Sequence, residues 1–195
     1  MTHLILLRHC ESQININDMI AGHTHTDATL TVEGEKQAAK LAKRVQEAHP
    51  GIEHIYCSTA MRTRQTAAFI VETMGIPISY HDELLERNYG KFDGMTMTDA
   101  AKKYPEEWAV WKKTREVEGG ETAQQVSDRA GSISAKAFTT DGHNTIAIVT
   151  HLSVLRAFMG RDGNGEINSW PLHEYGLGSI STIKTYDADK PNLEA

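Results

Sequence analysis

The chain has 195 residues, 39% of them hydrophobic and 24% charged, which describes a soluble globular protein with room for one sizeable core. Its net charge of −6 argues against a nucleic-acid coat, and no apolar run approaches the roughly 20 residues that span a bilayer. Two cysteines are too few for a disulfide scaffold, and no basic segment followed by an apolar one opens the chain, so the cytoplasm is the expected setting.

The first element is the short apolar run Leu4 to Leu7, whose length and β-branched Ile5 predict a buried strand. It empties abruptly into Arg8-His9-Cys10-Glu11-Ser12. Gln13 to Thr29 is polar and irregular and reads as a long loop, a kind of segment that is often functional. Thr31 then caps a predicted helix with Ala38, Leu41, Ala42 and Val45 on one face, stopped by His49-Pro50-Gly51. Ile52 to Cys57 is a second strand, Ser58 or Thr59 caps a helix running to Gly75, and Ile76 to Tyr80 is a third strand.

His81 to Gly94 is a loop carrying Glu86. Thr98 to Lys113 is helical but interrupted by Pro105, and its aromatics Tyr104, Trp108 and Trp111 read as packing. A turn at Gly119 to Thr122 precedes a helix over Gln124 to Phe138. Thr145 to Thr150 is a strand that runs into His151 and a helix around Leu155 to Met159, and Ile180 to Tyr186 is the last strand. Strands alternating with helices, with no repeat or linker, predict one domain over residues 1–195. It would be a three-layer α/β/α sandwich around a largely parallel sheet.

In such a sheet the strands ending at Arg8-His9, at Ser58 to Arg62 and at His151 share one edge, where ligands bind. Two arginines and two histidines then converge. Guanidinium forks pair with phosphoryl oxygens, and a helix N-terminus after Ser58 would add backbone N–H donors, so the pocket suits a phosphoryl group. Glu86 is the candidate acid for the leaving oxygen.

These motifs resemble the histidine phosphatase superfamily, the phosphoglycerate-mutase-like proteins. The resemblance rests on Arg8-His9-Cys10-Glu11-Ser12 with Asn15, on Leu30-Thr31 with Gly34, Gln37 and Ala38, and on Ser58, Arg62, Gln65, Thr66 and Ala67. It continues through Leu84, Glu86 and Gly90, then Gly120-Glu121-Thr122, then Thr150-His151. It implies a phosphatase that needs no cofactor and no metal, acting on a small phosphorylated substrate. His9 would attack phosphorus and carry a phosphohistidine. Arg8, Arg62 and His151 would hold the phosphoryl oxygens, Asn15 would add a neutral hydrogen bond, and Glu86 would serve as acid and then base.

The chain departs from the family pattern where Cys10 and Leu152 replace glycines, which bears on rate and substrate size. A cysteine-dependent phosphatase needs Cys-x₅-Arg, but counting from Cys10 lands on Ile16 and from Cys57 on Thr63. His23-Thr24-His25-Thr26-Asp27 resembles a metal motif whose closing histidine is Ala28 here, so a solvated loop near the pocket mouth is expected. No Gly-x-Gly-x-x-Gly follows the first strand. Trp170, Pro171, His173 and Tyr175 read as core or rim.

The alternatives are a phosphoglycerate mutase and a phosphate-binding regulatory module. The segment Glu86-Arg87-Asn88-Tyr89-Gly90 favours the mutase, with Arg87, Lys112, Lys113 and Arg115 available for a second anion, while the short chain favours hydrolysis. The oligomeric state is not legible.

Overall fold

The apolar run at the start of the chain is the middle of strand β1 (Thr2–Arg8), and Leu4 to Leu7 are all at most 3% exposed. The computed structural model describes residues 2–162, 165–167 and 175–185. Trp170, Pro171, His173 and Tyr186 lie outside the described residues.

β1 is joined by β2 (His54–Ser58), β3 (Ile78–His81), β4 (Thr145–Thr150) and β5 (Ile180–Thr185) in one sheet of order β3-β2-β4-β1-β5. The inner pairings are parallel, and only β5 runs antiparallel, against β1. The helices are α1 (Gln13–Ile16), α2 (Val32–Ala48), α3 (Met61–Met74), α4 (Met97–Lys103), α5 (Pro105–Thr114), α6 (Ala123–Thr139) and α7 (Leu152–Gly160). Two single 3₁₀ turns, Asp82–Leu84 and Gly90–Phe92, interrupt the loop after β3.

The layers follow from the two-residue period of the strands. Leu4, Leu6, Ile146 and Ile148 point to one face and pack with Val126, Ala130, Leu155 and Phe158 of α6 and α7. Ile5, Leu7, Ile55, Ala147 and Val149 point to the other and pack with Leu41, Val45, Ala67 and Ile70 of α2 and α3. Both faces of β1 and β4 are thus apolar, as expected of buried parallel strands. A smaller third core holds Phe92 against Tyr104, Trp108 and Trp111, with the two indoles stacked 4.7 Å apart. The expected helix over Thr98 to Lys113 is two pieces because Pro105 occupies the first turn of α5, where a missing N–H is harmless.

Three local expectations differ from the structure. Residues 13–29 are not all irregular, since α1 forms a single turn there. β3 begins at Ile78, after Pro77. Neither Ser58 nor Thr59 caps α3; Ala60 holds the cap position, because both hydroxyls have stronger partners elsewhere. Thr59 donates to Asp82 at 2.6 Å, and Ser58 sits 2.9 Å from His151 Nε2.

Candidate active site

Sheet register builds the site. Arg8 pairs with Thr150 across β1 and β4, and Cys57 pairs with Val149 across β2 and β4. The residues that follow, His9, His151 and Ser58, therefore emerge level at the carboxyl edge, where successive connections leave in opposite directions. Arg8, His9, Asn15, Arg62 and Glu86 line one cavity of about 410 Å³, in the range of small-ligand sites. His151 packs behind His9, ring centroids 5.2 Å apart and edge to face.

His9 is 5% exposed, and its Nδ1 lies 2.8 Å from the carbonyl of Cys10. A carbonyl only accepts, so Nδ1 carries the proton and Nε2 carries the lone pair. Burial first, then the Arg62 and Arg8 guanidiniums, hold His9 well below the usual imidazole pKa, so the ring is neutral at pH 7. His151 is depressed likewise, by burial, then by Arg62 and His9. Its Nε2 faces Ser58 Oγ, while its buried Nδ1 has no hydrogen-bond partner.

Arg62 is 2% exposed and donates from Nη1 to the carbonyl of His25 at 2.9 Å. Arg8 donates to the carbonyl of Tyr175 at 2.6 Å. Asn15 accepts from both the N–H and the hydroxyl of Ser12 through Oδ1, which identifies the atom left over as the amide nitrogen. Glu86 Oε1 accepts from the N–H of Arg87 at 2.7 Å and from that of Ser153 at 3.2 Å. The helix N-terminus that serves this site is therefore α7. At α3 the expected donors are otherwise engaged, with Met61 N–H directed to the carbonyl of Thr26 at 2.6 Å.

Most of the remaining motif residues brace the loop behind His9. Glu11 accepts from Thr31 Oγ1 at 2.6 Å, its N–H donates to Gln37, and Thr31 caps α2 through Gly34 N–H. Gly34 is required because a β-carbon there would collide with the carbonyl of Glu11. Cys10 does not reshape the cavity. Its side chain is fully buried in the α2–α3 core, 3.3 Å from where Gly178 would carry a β-carbon, and burial pushes its thiol up to about 11. Cys57 is pushed up to about 12 in the same way, so neither cysteine is a ready nucleophile. Leu152, by contrast, lines the cavity.

The His23 to Asp27 loop is pinned rather than merely solvated. Asp93 accepts from the N–H groups of Gly22 and His23 and from Thr24 Oγ1. The loop thereby presents His25 carbonyl to Arg62, while His23 and His25 turn to Glu121 and Thr24. Among the described residues no group of His, Cys, Asp and Glu is placed to hold a metal ion. Lys112 and Lys113 are exposed and off the cavity, whereas Arg87, Arg115 and Trp111 line it. Trp111 thus does more than pack.

Sequence reasoning missed Arg129, Ser153 and Arg156. Arg129 reaches from α6 to the carbonyls of Glu83, Leu85 and Glu86 while pairing in bidentate fashion with Glu121. Glu121 also accepts Asn88 N–H, and its carbonyl accepts Arg87 Nε–H. This clamp shapes the Glu86 loop, and no sequence spacing reveals it. Arg156 did leave a signal: it is the one cation inside the apolar stretch of α7.

The chain belongs to the histidine phosphatase superfamily, branch 1, whose family profile matches residues 4–195. It is 31% identical over 160 residues to phosphoserine phosphatase 1 of Hydrogenobacter thermophilus, covering 80% of this chain and 74% of that one. It is 35% identical over 136 residues to a probable phosphoglycerate mutase of Escherichia coli, covering 68% of this chain and 61% of the relative. Among solved structures, Bacillus stearothermophilus YhfR superposes with TM-score 0.85 at 25% identity, over all of this chain and 95% of that one. A mycobacterial glucosyl-3-phosphoglycerate phosphatase superposes with TM-score 0.88 at 20% identity, over all of this chain and 97% of that one, which shows the fold. The fold and the phosphatase class are those that the motifs implied. Among the described residues no helix is long and apolar enough to cross a membrane.

Proposed function

We propose that residues 1–195 act as one catalytic domain, a metal-independent phosphomonoester hydrolase working through a phosphohistidine on a small phosphorylated metabolite in the cytoplasm. The observation that carries this is the tautomer of His9. Its proton is engaged by the carbonyl of Cys10, so the lone pair on Nε2 is free to attack between two guanidiniums. Nε2 forms a bond to phosphorus as the bond to the leaving oxygen breaks. Glu86, positioned on the N–H groups of Arg87 and Ser153, delivers a proton to that oxygen. Glu86 then takes a proton from water as the water attacks phosphorus and His9 is released. Arg8, Arg62, Asn15 and His151 Nδ1 hold the phosphoryl oxygens throughout, where charge is redistributed.

Hydrolysis of p-nitrophenyl phosphate in EDTA tests this reading. Turnover should persist in EDTA and fall by at least about 10⁴-fold in His9→Ala, the scale seen when a covalent nucleophile is removed. Glu86→Gln should cost roughly 10²–10⁴-fold on alkyl phosphates and far less on the activated aryl ester, whose leaving group needs no proton. A His9→Ala protein that kept most of its activity would overturn the mechanism. Release of phosphate from 3-phosphoglycerate, rather than its isomerisation, separates phosphatase from mutase.

A further inference from the structure

The cavity is more cationic than one phosphoryl group requires. Five arginines line it (Arg8, Arg62, Arg87, Arg115 and Arg156) against two carboxylates, Asp18 and Glu86, in a chain whose net charge is −6. A phosphoryl dianion at His9 is matched by Arg8 and Arg62 alone.

Arg156 is the least accounted for of the five. It is half-buried, and its Nε is shut off from water with no hydrogen-bond partner. Among the described residues it makes no ion pair. A partly desolvated cation without an anion is costly, and a ligand that supplies the anion removes the cost. Trp111, on the same cavity, has the same defect: its indole Nε1 is buried and unpartnered. Arg115 lies over the Trp111 ring at 4.9 Å. It does so from the end of α5 at φ 61°, a left-handed conformation uncommon for arginine.

The position of Arg156 along α7 says which part of a substrate it would meet. His151 caps this helix beside His9, where phosphorus sits. Ser153 N–H holds Glu86, the acid for the oxygen that joins phosphorus to the leaving group. Arg156 follows three residues later on the same face, about 4.5 Å further along the axis, and helical side chains lean back toward the N-terminus. Leu152, four residues before it, lines the cavity as well. What lies beyond Glu86 belongs to the leaving alcohol.

We infer, on the phosphatase reading above, that Arg156 and Trp111 form a subsite for a carboxylate on the leaving alcohol, so that the substrate class is the phosphorylated hydroxy acids. One guanidinium fork and one indole N–H match a planar monoanion. A second phosphoryl dianion would call for a paired-arginine cradle like that at His9.

The test compares 3-phosphoglycerate, glycerol 3-phosphate and p-nitrophenyl phosphate with wild type, Arg156→Met and Trp111→Phe. The first two substrates share a carbon skeleton and differ by the carboxylate. Wild type should prefer 3-phosphoglycerate. Arg156→Met should lower its kcat/KM roughly 10- to 100-fold, mainly through KM, while the other two substrates change by only a few-fold. Trp111→Phe should act in the same direction by about 3- to 10-fold. Equal losses on all three substrates, or no wild-type preference for the carboxylate, would overturn the subsite. A preference for 2,3-bisphosphoglycerate that collapses in Arg156→Met would replace the carboxylate by a second phosphate. Absence of His9-dependent turnover on p-nitrophenyl phosphate would instead sink the phosphatase reading, so the two failures are distinguishable.

Discussion

Two groups of histidines differ in what their ring nitrogens face. His9 and His151 sit at the carboxyl edge of the sheet. His54, His81 and His143 gather around the start of β2 and the edge strand β3, with His54 and His143 stacked 5.4 Å apart. Burial is the first cause of a lowered pKa in both groups, for His9 and His151 as for His54 and His81. The second causes differ. At the carboxyl edge it is guanidinium charge. For His54 it is His143, and for His81 it is Glu83, which pulls the other way.

The hydrogen bonds separate the groups further. Ser79 Oγ lies 2.9 Å from His54 Nε2 and 2.8 Å from His81 Nε2, and His143 Nδ1 faces Glu53 at 3.3 Å. At the carboxyl edge each ring has one nitrogen engaged: His9 Nδ1 with Cys10, and His151 Nε2 with Ser58. A low imidazole pKa alone therefore does not mark a reactive histidine. The mark is a neutral ring whose second nitrogen is left for a substrate beside a buried positive charge.

The largest effect expected from this contrast is on turnover. His9→Ala should abolish it, whereas His54→Ala and His81→Ala should leave kcat within about 3-fold, since neither touches the cavity. A large loss in either edge-strand variant would break the comparison.

Arg62→Met should come next. It removes an oxygen clamp, at a cost of roughly 10²–10³-fold in kcat. It also removes the main charge depressing His9, so the acid limb of the pH–rate profile should move to higher pH. An acid limb that stays put would mean that burial alone sets the nucleophile.

The smallest effect is on stability. A histidine that stays neutral in the fold is penalised only where the unfolded chain would take up a proton. Above about pH 6.5 both states are neutral and nothing is lost. Below it the unfolded chain binds protons that His9 and His151 refuse, so stability should fall as pH falls, by up to about 1.4 kcal/mol per pH unit for each ring. Urea melts at pH 7.5, 6.0 and 5.0 should show this slope shrink in His9→Asn. The same substitution at His81, which is partly exposed, should shrink it less.

Much of this protein is legible in its sequence. Strands β1 and β4 are short uncharged runs because both of their faces are covered, and that pattern survives without knowledge of the partners. Arg8, His9, Arg62 and His151 are legible because each follows a strand end or opens the helix after it, and parallel strands bring such ends to one edge. Glu86 is less so. Nothing in its loop marks it apart from the family motif, and its placement depends on Ser153 N–H and on the Arg129 clamp, 67 and 43 residues away.

Tertiary structure alone settled the roles of the remaining groups. The hydroxyl of Ser58 suits a helix cap by sequence, yet register sets it against His151. Cys10 replaces a family glycine, and only packing shows that its thiol turns into the core. Lys112 and Lys113 suit a second anion by charge, but they lie on the solvent side of α5, while Trp111 and Arg115 reach the cavity. The physical reason is common to all three. Local pattern decides which elements form and which face is buried, because those depend on neighbours a few residues away. Which side chain meets which depends on register and on helix rotation, and those are set by contacts between segments far apart in the chain.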